Sequence, residues 1–269
     1  MSYRFVSEYL DDERVAGRVF DIFMPEKVTR DIALFFVHGG GWRAGSRAGY
    51  HQIMRAFNKL GFICASTDYR LSGVNIFEQI MDIRHGYDAF CAFLESEKRP
   101  LKIFTHGSSA GAHLTALLSF AAPGECGEPL EYKGYKYRRA KWEKPIGTAL
   151  QATPVYFRPW EDIFPIIWAS MQDIVGVPYE KNPELYRKVE PFNYISEETC
   201  PVFFLEAEDE HMFPYEYIVQ FAEKMKSLGR RAEYRTYTKA EHGFFYDVTR
   251  RQQKEAFEDI LNFINSLEK

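Results

Sequence analysis

A chain of 269 residues, 46% of them hydrophobic, can bury one sizeable core and suits a single large α/β domain better than two small ones. Its net charge of −4, with Lys and Arg scattered along the sequence, excludes the basic face of a nucleic-acid binder. No run of about 18 apolar residues occurs and Met1 to Glu8 lacks a charged-then-apolar leader, so the sequence reads as that of a soluble, cytoplasmic protein without a membrane partner.

Two β-type stretches open the chain, Tyr3 to Tyr9 and Val15 to Met24, the second stopped by Pro25. Ile32 to Val37 is continuously apolar, as a strand buried on both faces should be, and empties into His38-Gly39-Gly40-Gly41-Trp42. A polar helical segment from Ser46 to Leu60 closes at Gly61. Phe62 to Thr67 is another buried strand, followed by Asp68-Tyr69-Arg70-Leu71. Ile76 to Glu97 carries helical apolar spacing, and a strand around Ile103 and Phe104 then turns abruptly into a helix that ends near Pro123. This alternation implies right-handed crossovers and a mostly parallel sheet.

Residues 124–144 break the rhythm with glycines and then Lys- and Arg-rich sequence, which marks an exposed insertion. A strand resumes over Ile146 to Val155. Residues 159–194 are helical in patches and punctuated by prolines; such a length outside the regular rhythm reads as a lid or wall over a site. Regular order returns with a strand at Pro201 to Leu205, a helix over Tyr215 to Leu228, a strand at Ala232 to Tyr237 and a final amphipathic helix through Ala256, Ile260, Phe263 and Leu267. The four cysteines, Cys64, Cys91, Cys126 and Cys200, lack a C-x-x-C pair and read as free buried thiols. Most of the aromatic residues must be core. Tyr132, Tyr135, Tyr137, Trp142, Phe157, Trp160, Phe164 and Trp168 cluster in loops, where they could line a substrate-facing wall.

The chemistry concentrates at the turn. Gly107, Ser109 and Gly111 fit G-x-S-x-G: a strand turning straight into a helix strains its apical residue, side chains two positions either side would collide, and the serine hydroxyl is left exposed above the sheet edge. A serine hydroxyl is a poor nucleophile near neutral pH and needs a histidine base with an acid to orient it. Of seven histidines, His242 follows the last strand, with Gly243 to let the loop turn; His106 and His113 flank the serine but read as packed or hydrogen-bonded residues. The acid belongs to the cluster Glu206, Glu208, Asp209 and Glu210. Glu210, four residues before Pro214 and with the longer side chain, is favoured, Asp209 is the alternative, and the other acids read as solvated loop charges. After the buried strand, the glycine run lets the N–H groups of Gly40 and Gly41 converge with that of Ala110 as an oxyanion hole. No phosphate-loop or metal-ligand spacing is present, so no cofactor and no metal is expected.

With elbow, HGGGW loop and late histidine in this order, the sequence resembles the α/β-hydrolase superfamily along nearly its whole length. More narrowly it looks like the HGGG-type esterases and lipases, near the acetyl-xylan-esterase-like and formamidase-like members. Val37 to Trp42 with Gly45, the Asp68-Tyr69-Arg70-Leu71 run and Ser109-Ala110-Gly111-Ala112-His113-Leu114 carry the likeness; where the group has Gly-x-x-Asp, this chain has Ala207-Glu208-Asp209-Glu210. The resemblance implies an α/β-hydrolase fold with helices on both faces of a mostly parallel sheet and a lid-like insertion. It also implies a cofactor-independent serine carboxylesterase acting through an acyl-enzyme on a small-molecule ester of short acyl chain, acetylated carbohydrate included. An amidase, formamidase or small peptidase would use the same triad, and an inactive ligand-binding relative would keep only the pocket. Monomer and homodimer are both open at this stage.

Overall fold

The structure is a computed structural model, and it describes residues 4–11, 13–136 and 142–268. Its strands are β1 (Arg4–Tyr9), β2 (Val19–Met24), β3 (Ile32–Val37), β4 (Cys64–Thr67), β5 (Lys102–Ser108), β6 (Glu131–Tyr132), β7 (Tyr135–Lys136), β8 (Gly147–Gln151), β9 (Val202–Asp209) and β10 (Ala232–Glu241). Its helices are α1 (His51–Asn58), α2 (Ile76–Ser96), α3 (Ala110–Phe120), α4 (Pro165–Val175), α5 (Pro183–Arg187), α6 (Tyr215–Ser227) and α7 (Arg251–Leu267).

Eight strands form one sheet in the order β1-β2-β4-β3-β5-β8-β9-β10; β1, β2 and β4 pair antiparallel, and every pairing from β4 to β10 is parallel. The alternation of side chains in β3 shows why the sheet is covered on both sides. Ile32, Leu34 and Phe36 pack with Phe57 of α1 and Ile260 and Ile264 of α7, while Ala33, Phe35 and Val37 pack with Ile80, Phe90 and Leu94 of α2. Helix α2 begins where it does because Asn75 and Glu78 form a capping box: the Asn75 side chain accepts from the Glu78 N–H at 3.1 Å, and the Glu78 carboxylate accepts from the Asn75 N–H at 3.0 Å. All four cysteines are free and buried, and among the described residues no helix is long and apolar enough to cross a membrane.

The break in rhythm after α3 is real. The first part of 124–144 forms the small β6–β7 hairpin, with the Tyr132 ring under the guanidinium groups of Arg18 at 4.2 Å and Arg70 at 4.7 Å. Those guanidiniums share the buried carboxylate of Asp82. Residues 159–194 hold α4, α5 and two short 3₁₀ segments, Tyr179–Lys181 and Pro191–Tyr194, and their Met171, Ile174, Tyr186 and Val189 are buried with the α2 side of the core. The strand expected over Ile146 to Val155 stops at Gln151, because Ala152 takes a left-handed backbone with φ of 49° and Pro154 follows.

The aromatic residues expected at a substrate-facing wall are mostly occupied elsewhere. Phe157 is buried and stacks on His113 with ring centres 4.6 Å apart, and Trp168 packs on Tyr179 and Tyr186. Tyr137 lies outside the described residues.

Candidate active site

In a parallel sheet the carboxyl ends of the strands share one edge, and the chemistry-bearing residues sit there: Ser109 after β5, Glu210 after β9, His242 after β10 and the glycine run after β3. Ser109 occupies the one position between β5 and α3, with φ of 54° and ψ of −122°, a conformation that is costly for any residue with a Cβ. The glycines around it are sterically required. A Cβ on Gly107 would stand 2.4 Å from the Gly111 carbonyl oxygen and 2.5 Å from Thr115 Oγ1, and one on Gly111 would stand 2.3 Å from the carbonyl oxygens of both Val37 and His38. The turn is thus pressed against its own helix and against the end of β3.

The Ser109 hydroxyl meets His242 Nε2 at 2.9 Å, and His242 Nδ1 meets Glu210 Oε2 at 2.8 Å. An imidazole with its proton on Nδ1 donates to the carboxylate and accepts from the serine, the arrangement a general base needs. The Glu210 side chain is 6% exposed, and its other oxygen accepts from the Met212 N–H at 2.8 Å, which fixes the carboxylate in its turn. Of the two acids considered from sequence, Glu210 reaches the imidazole; Asp209 ends β9 opposite Glu241, exposed to solvent.

Glu206 corrects the reading of its neighbours as solvated loop charges. Strand β9 continues four residues beyond Leu205 and is buried on both faces through Ala207, so Glu206 is an interior strand residue, 2% exposed with Oε1 unpartnered among the described residues. Burial, and next the nearby Glu210 carboxylate, push its pKa well above the usual carboxylate range. Glu208, on the same strand, is exposed and accepts from the Lys239 N–H at 2.8 Å.

The glycine run curls tightly. Gly40 has φ of 120° and Gly41 φ of 56°, and the Gly40 carbonyl accepts from the N–H groups of Arg43 at 3.1 Å and Ala44 at 2.9 Å. The Gly39 N–H is taken by Tyr246 Oη at 2.8 Å. The N–H groups of Gly40, Gly41 and Ala110 make no hydrogen bond to any described residue, and Ala110 stands at the first turn of α3 with the positive end of its dipole.

His113 and His106 are buried and packed. His113 Nδ1 lies 3.4 Å from the Trp42 indole N–H and its Nε2 lies 2.6 Å from the Val189 carbonyl, so it tethers the glycine loop and the 159–194 segment to α3. Burial pushes its pKa down to about 4 and that of His106 to about 3, which keeps both rings neutral. His106 sits among Phe36, Tyr50 and Phe245. Two residues beside the site were not singled out by sequence, Tyr246 and Phe213. The Phe213 ring lies 5.9 Å from the His242 ring and leads to Trp160, 6.2 Å further on. A tyrosine and a phenylalanine in a sequence with 17 and 23 of them carry no local signal; their positions follow only from where β9 and β10 end.

Comparison with known proteins bears on the family and the fold. A family model described as BD-FAE matches residues 20–225, and one described as the dienelactone hydrolase family matches residues 186–267. Esterase LipQ of Mycobacterium tuberculosis is 26% identical over 253 residues, 87% of this chain and 56% of that protein. The chain spans about half the length of the curated relatives it matches. Among solved structures, a propionate-bound esterase, Est2 of Thermogutta terrifontis, superposes with a TM-score of 0.75 at 21% identity over 97% of this chain and 94% of that one. Esterase B of Lactobacillus rhamnosis superposes with a TM-score of 0.79 at 15% identity over 99% and 87%. The fold is the α/β-hydrolase fold.

Proposed function

The chain belongs to the BD-FAE family, and from that premise we propose that it is a cofactor-independent serine carboxylesterase acting on small esters of short acyl chain. The observation that carries the reading is the line Ser109 Oγ, His242 Nε2, His242 Nδ1, Glu210 Oε2, with hydrogen bonds of 2.9 and 2.8 Å. Ser109 Oγ attacks the ester carbonyl while His242 Nε2 takes the hydroxyl proton, and Glu210 stabilises the imidazolium that forms. The oxyanion receives hydrogen bonds from Gly40, Gly41 and Ala110, each donor of this kind being worth about 100- to 1000-fold in rate. Collapse of the intermediate breaks the ester C–O bond, and His242 returns its proton to the departing alcohol. A water, deprotonated by His242, then attacks the acyl-Ser109 ester and releases the carboxylic acid and free serine.

Esterase LipQ supports ester chemistry by its own activity, and the short-acyl preference draws on the propionate held by Est2. In this reading the chain is one domain, and residues 159–194 with the described part of 124–144 form the cap or pocket wall. Hydrolysis of p-nitrophenyl esters from acetate to decanoate tests it. Wild type should turn over the short esters fastest, and Ser109→Ala should lose on the order of 10⁴-fold or more. A rate rising steadily toward decanoate would remove the short-chain assignment. Equal inactivity of folded wild type and variant, with turnover of matched anilides instead, would replace ester by amide cleavage.

A further inference from the structure

The imidazole that must stay within hydrogen-bond reach of Ser109 is carried by a loop. Strand β10 ends at Glu241 and α7 begins only at Arg251, so His242 stands at the head of nine residues outside helix and strand. A catalytic group on such a segment needs supports that lock it against the rigid part of the fold. We propose that Gln151 is a positioning residue that fixes the His242 loop against the Ser109 turn and so sets the separation across which the proton moves. The proposal rests on the ester-hydrolysis reading of the same site.

Gln151 is the last residue of β8, lies between β5 and β9, and is 1% exposed. Its backbone carbonyl accepts from the N–H of Ser109 itself at 2.8 Å. Its side-chain amide is assigned with the oxygen toward the loop, the one orientation that satisfies its neighbours: it then accepts from the N–H groups of Phe244 at 2.8 Å and Phe245 at 3.1 Å and donates to Ser108 Oγ at 3.1 Å. One residue therefore binds the nucleophile, the residue before it, and the residues two and three after the base. A primary amide offers an oxygen for two N–H groups and, on the same plane, a nitrogen for a hydroxyl, which no apolar side chain does. The neighbouring strand positions Ala149 and Leu150 are apolar, and a packing role alone would be served by another such residue. The next loop residue, Tyr246, is held by the Gly39 N–H at 2.8 Å, so three consecutive residues of the His242 loop are bonded to other parts of the site.

The test is Gln151→Met, which keeps the volume and removes the hydrogen bonds, assayed with p-nitrophenyl acetate. Displacement of a catalytic group by about 1 Å can cost about 100-fold, so kcat should fall about 10- to 100-fold while KM stays within about twofold. Gln151→Glu, whose carboxylate can accept from the same two N–H groups and from Ser108, should recover kcat to within about fivefold of wild type. Because the residue acts through His242, adding Gln151→Met to His242→Ala should leave the residual rate unchanged. A folded Gln151→Met with wild-type kcat overturns the proposal, as does an equal loss in the His242→Ala background. Should Gln151→Met fail to fold, Ser108→Ala removes one anchor of the amide: a fall of about threefold or more in kcat, absent in the His242→Ala background, supports the proposal, and wild-type kcat overturns it. An inactive wild type, or a Ser109→Ala variant as active as wild type, removes the hydrolysis reading and the proposal with it. A wild type that needs Ser109 but not Gln151 removes the proposal alone.

Discussion

Replacing Glu206 by Gln should make the protein more stable, and increasingly so as the pH rises. Glu206 is 2% exposed in β9, and burial together with the Glu210 carboxylate raises its pKa well above the ordinary 4.5. In the folded chain it therefore keeps its proton at pH values where the unfolded chain has lost it. Below about pH 4.5 both states are protonated and the group costs nothing. Above that value the unfolded state binds fewer protons, and wild-type stability falls by about 1.4 kcal/mol per pH unit until the folded pKa is reached. Gln is close to isosteric with the protonated acid and has no proton to hold. The gain of Glu206→Gln over wild type should thus grow as the pH rises above 5 and level off once the folded pKa is passed. Burying the amide nitrogen offsets part of the gain by a constant amount, so the slope against pH, not the gain at one pH, is what reports on the acid. Urea unfolding of both proteins at pH 5, 6 and 7 measures it. A difference that is flat with pH, or one that moves in favour of wild type as pH rises, refutes the neutral buried acid.

Three further substitutions probe the site. Glu210→Gln preserves shape but removes the anion facing His242 Nδ1, and kcat on p-nitrophenyl acetate should fall on the order of 10³- to 10⁴-fold, whereas Asp209→Asn, at an exposed strand end, should stay within about threefold of wild type; the reverse order would reassign the acid. Gly111→Ala puts a Cβ 2.3 Å from the carbonyl oxygens of Val37 and His38, and should lower stability by about 1–3 kcal/mol in a denaturant melt and abolish most activity, because α3 must back away from the glycine loop.

The sequence was most legible where the backbone itself is constrained. Close backbone approach excludes a Cβ at Gly107 and Gly111 beside Ser109 and at Gly39 and Gly40 after β3, so steric need wrote those parts of the site directly into the chain, and the helical apolar spacing from Ile76 marked the start of α2. Polar strand residues were the weak point. Both late strands run four residues past their expected ends, β9 to Asp209 and β10 to Glu241, because hydrogen bonding between parallel neighbours carries them on: Thr236 pairs with Glu206, Tyr237 with Ala207 and Glu241 with Asp209. Since β9 is covered on both faces through Ala207, extending it turned Glu206 from a loop charge into a buried acid. The choice between Asp209 and Glu210 depended on the same boundary, and a lone glutamine at the end of β8 gave no signal that its amide would find two N–H groups nearly a hundred residues later.

The packing of the 159–194 segment bears on how substrate reaches the site, and it argues for a fixed wall over a swinging lid. A lid needs a low-cost open state, with few buried apolar contacts to lose. Met171, Ile174, Tyr186 and Val189 are all buried to 0% exposure within the core cluster that also holds α2 and α3 residues. Uncovering four such side chains costs on the order of 6–12 kcal/mol at the usual price per side chain. The buried His113 adds a tether, since its ring is held between Trp42 of the glycine loop and the Val189 carbonyl at 2.6 Å. Opening the segment would break that hydrogen bond and disturb Trp42, whose own backbone is held in a left-handed conformation at φ of 61° next to Gly41. Substrate access by opening the whole segment would thus dismantle the proposed oxyanion hole. The exposed edge around Phe164 and Ile166, 48% and 74% exposed, is free to move without that penalty, so movement there leaves the buried part of the segment in place.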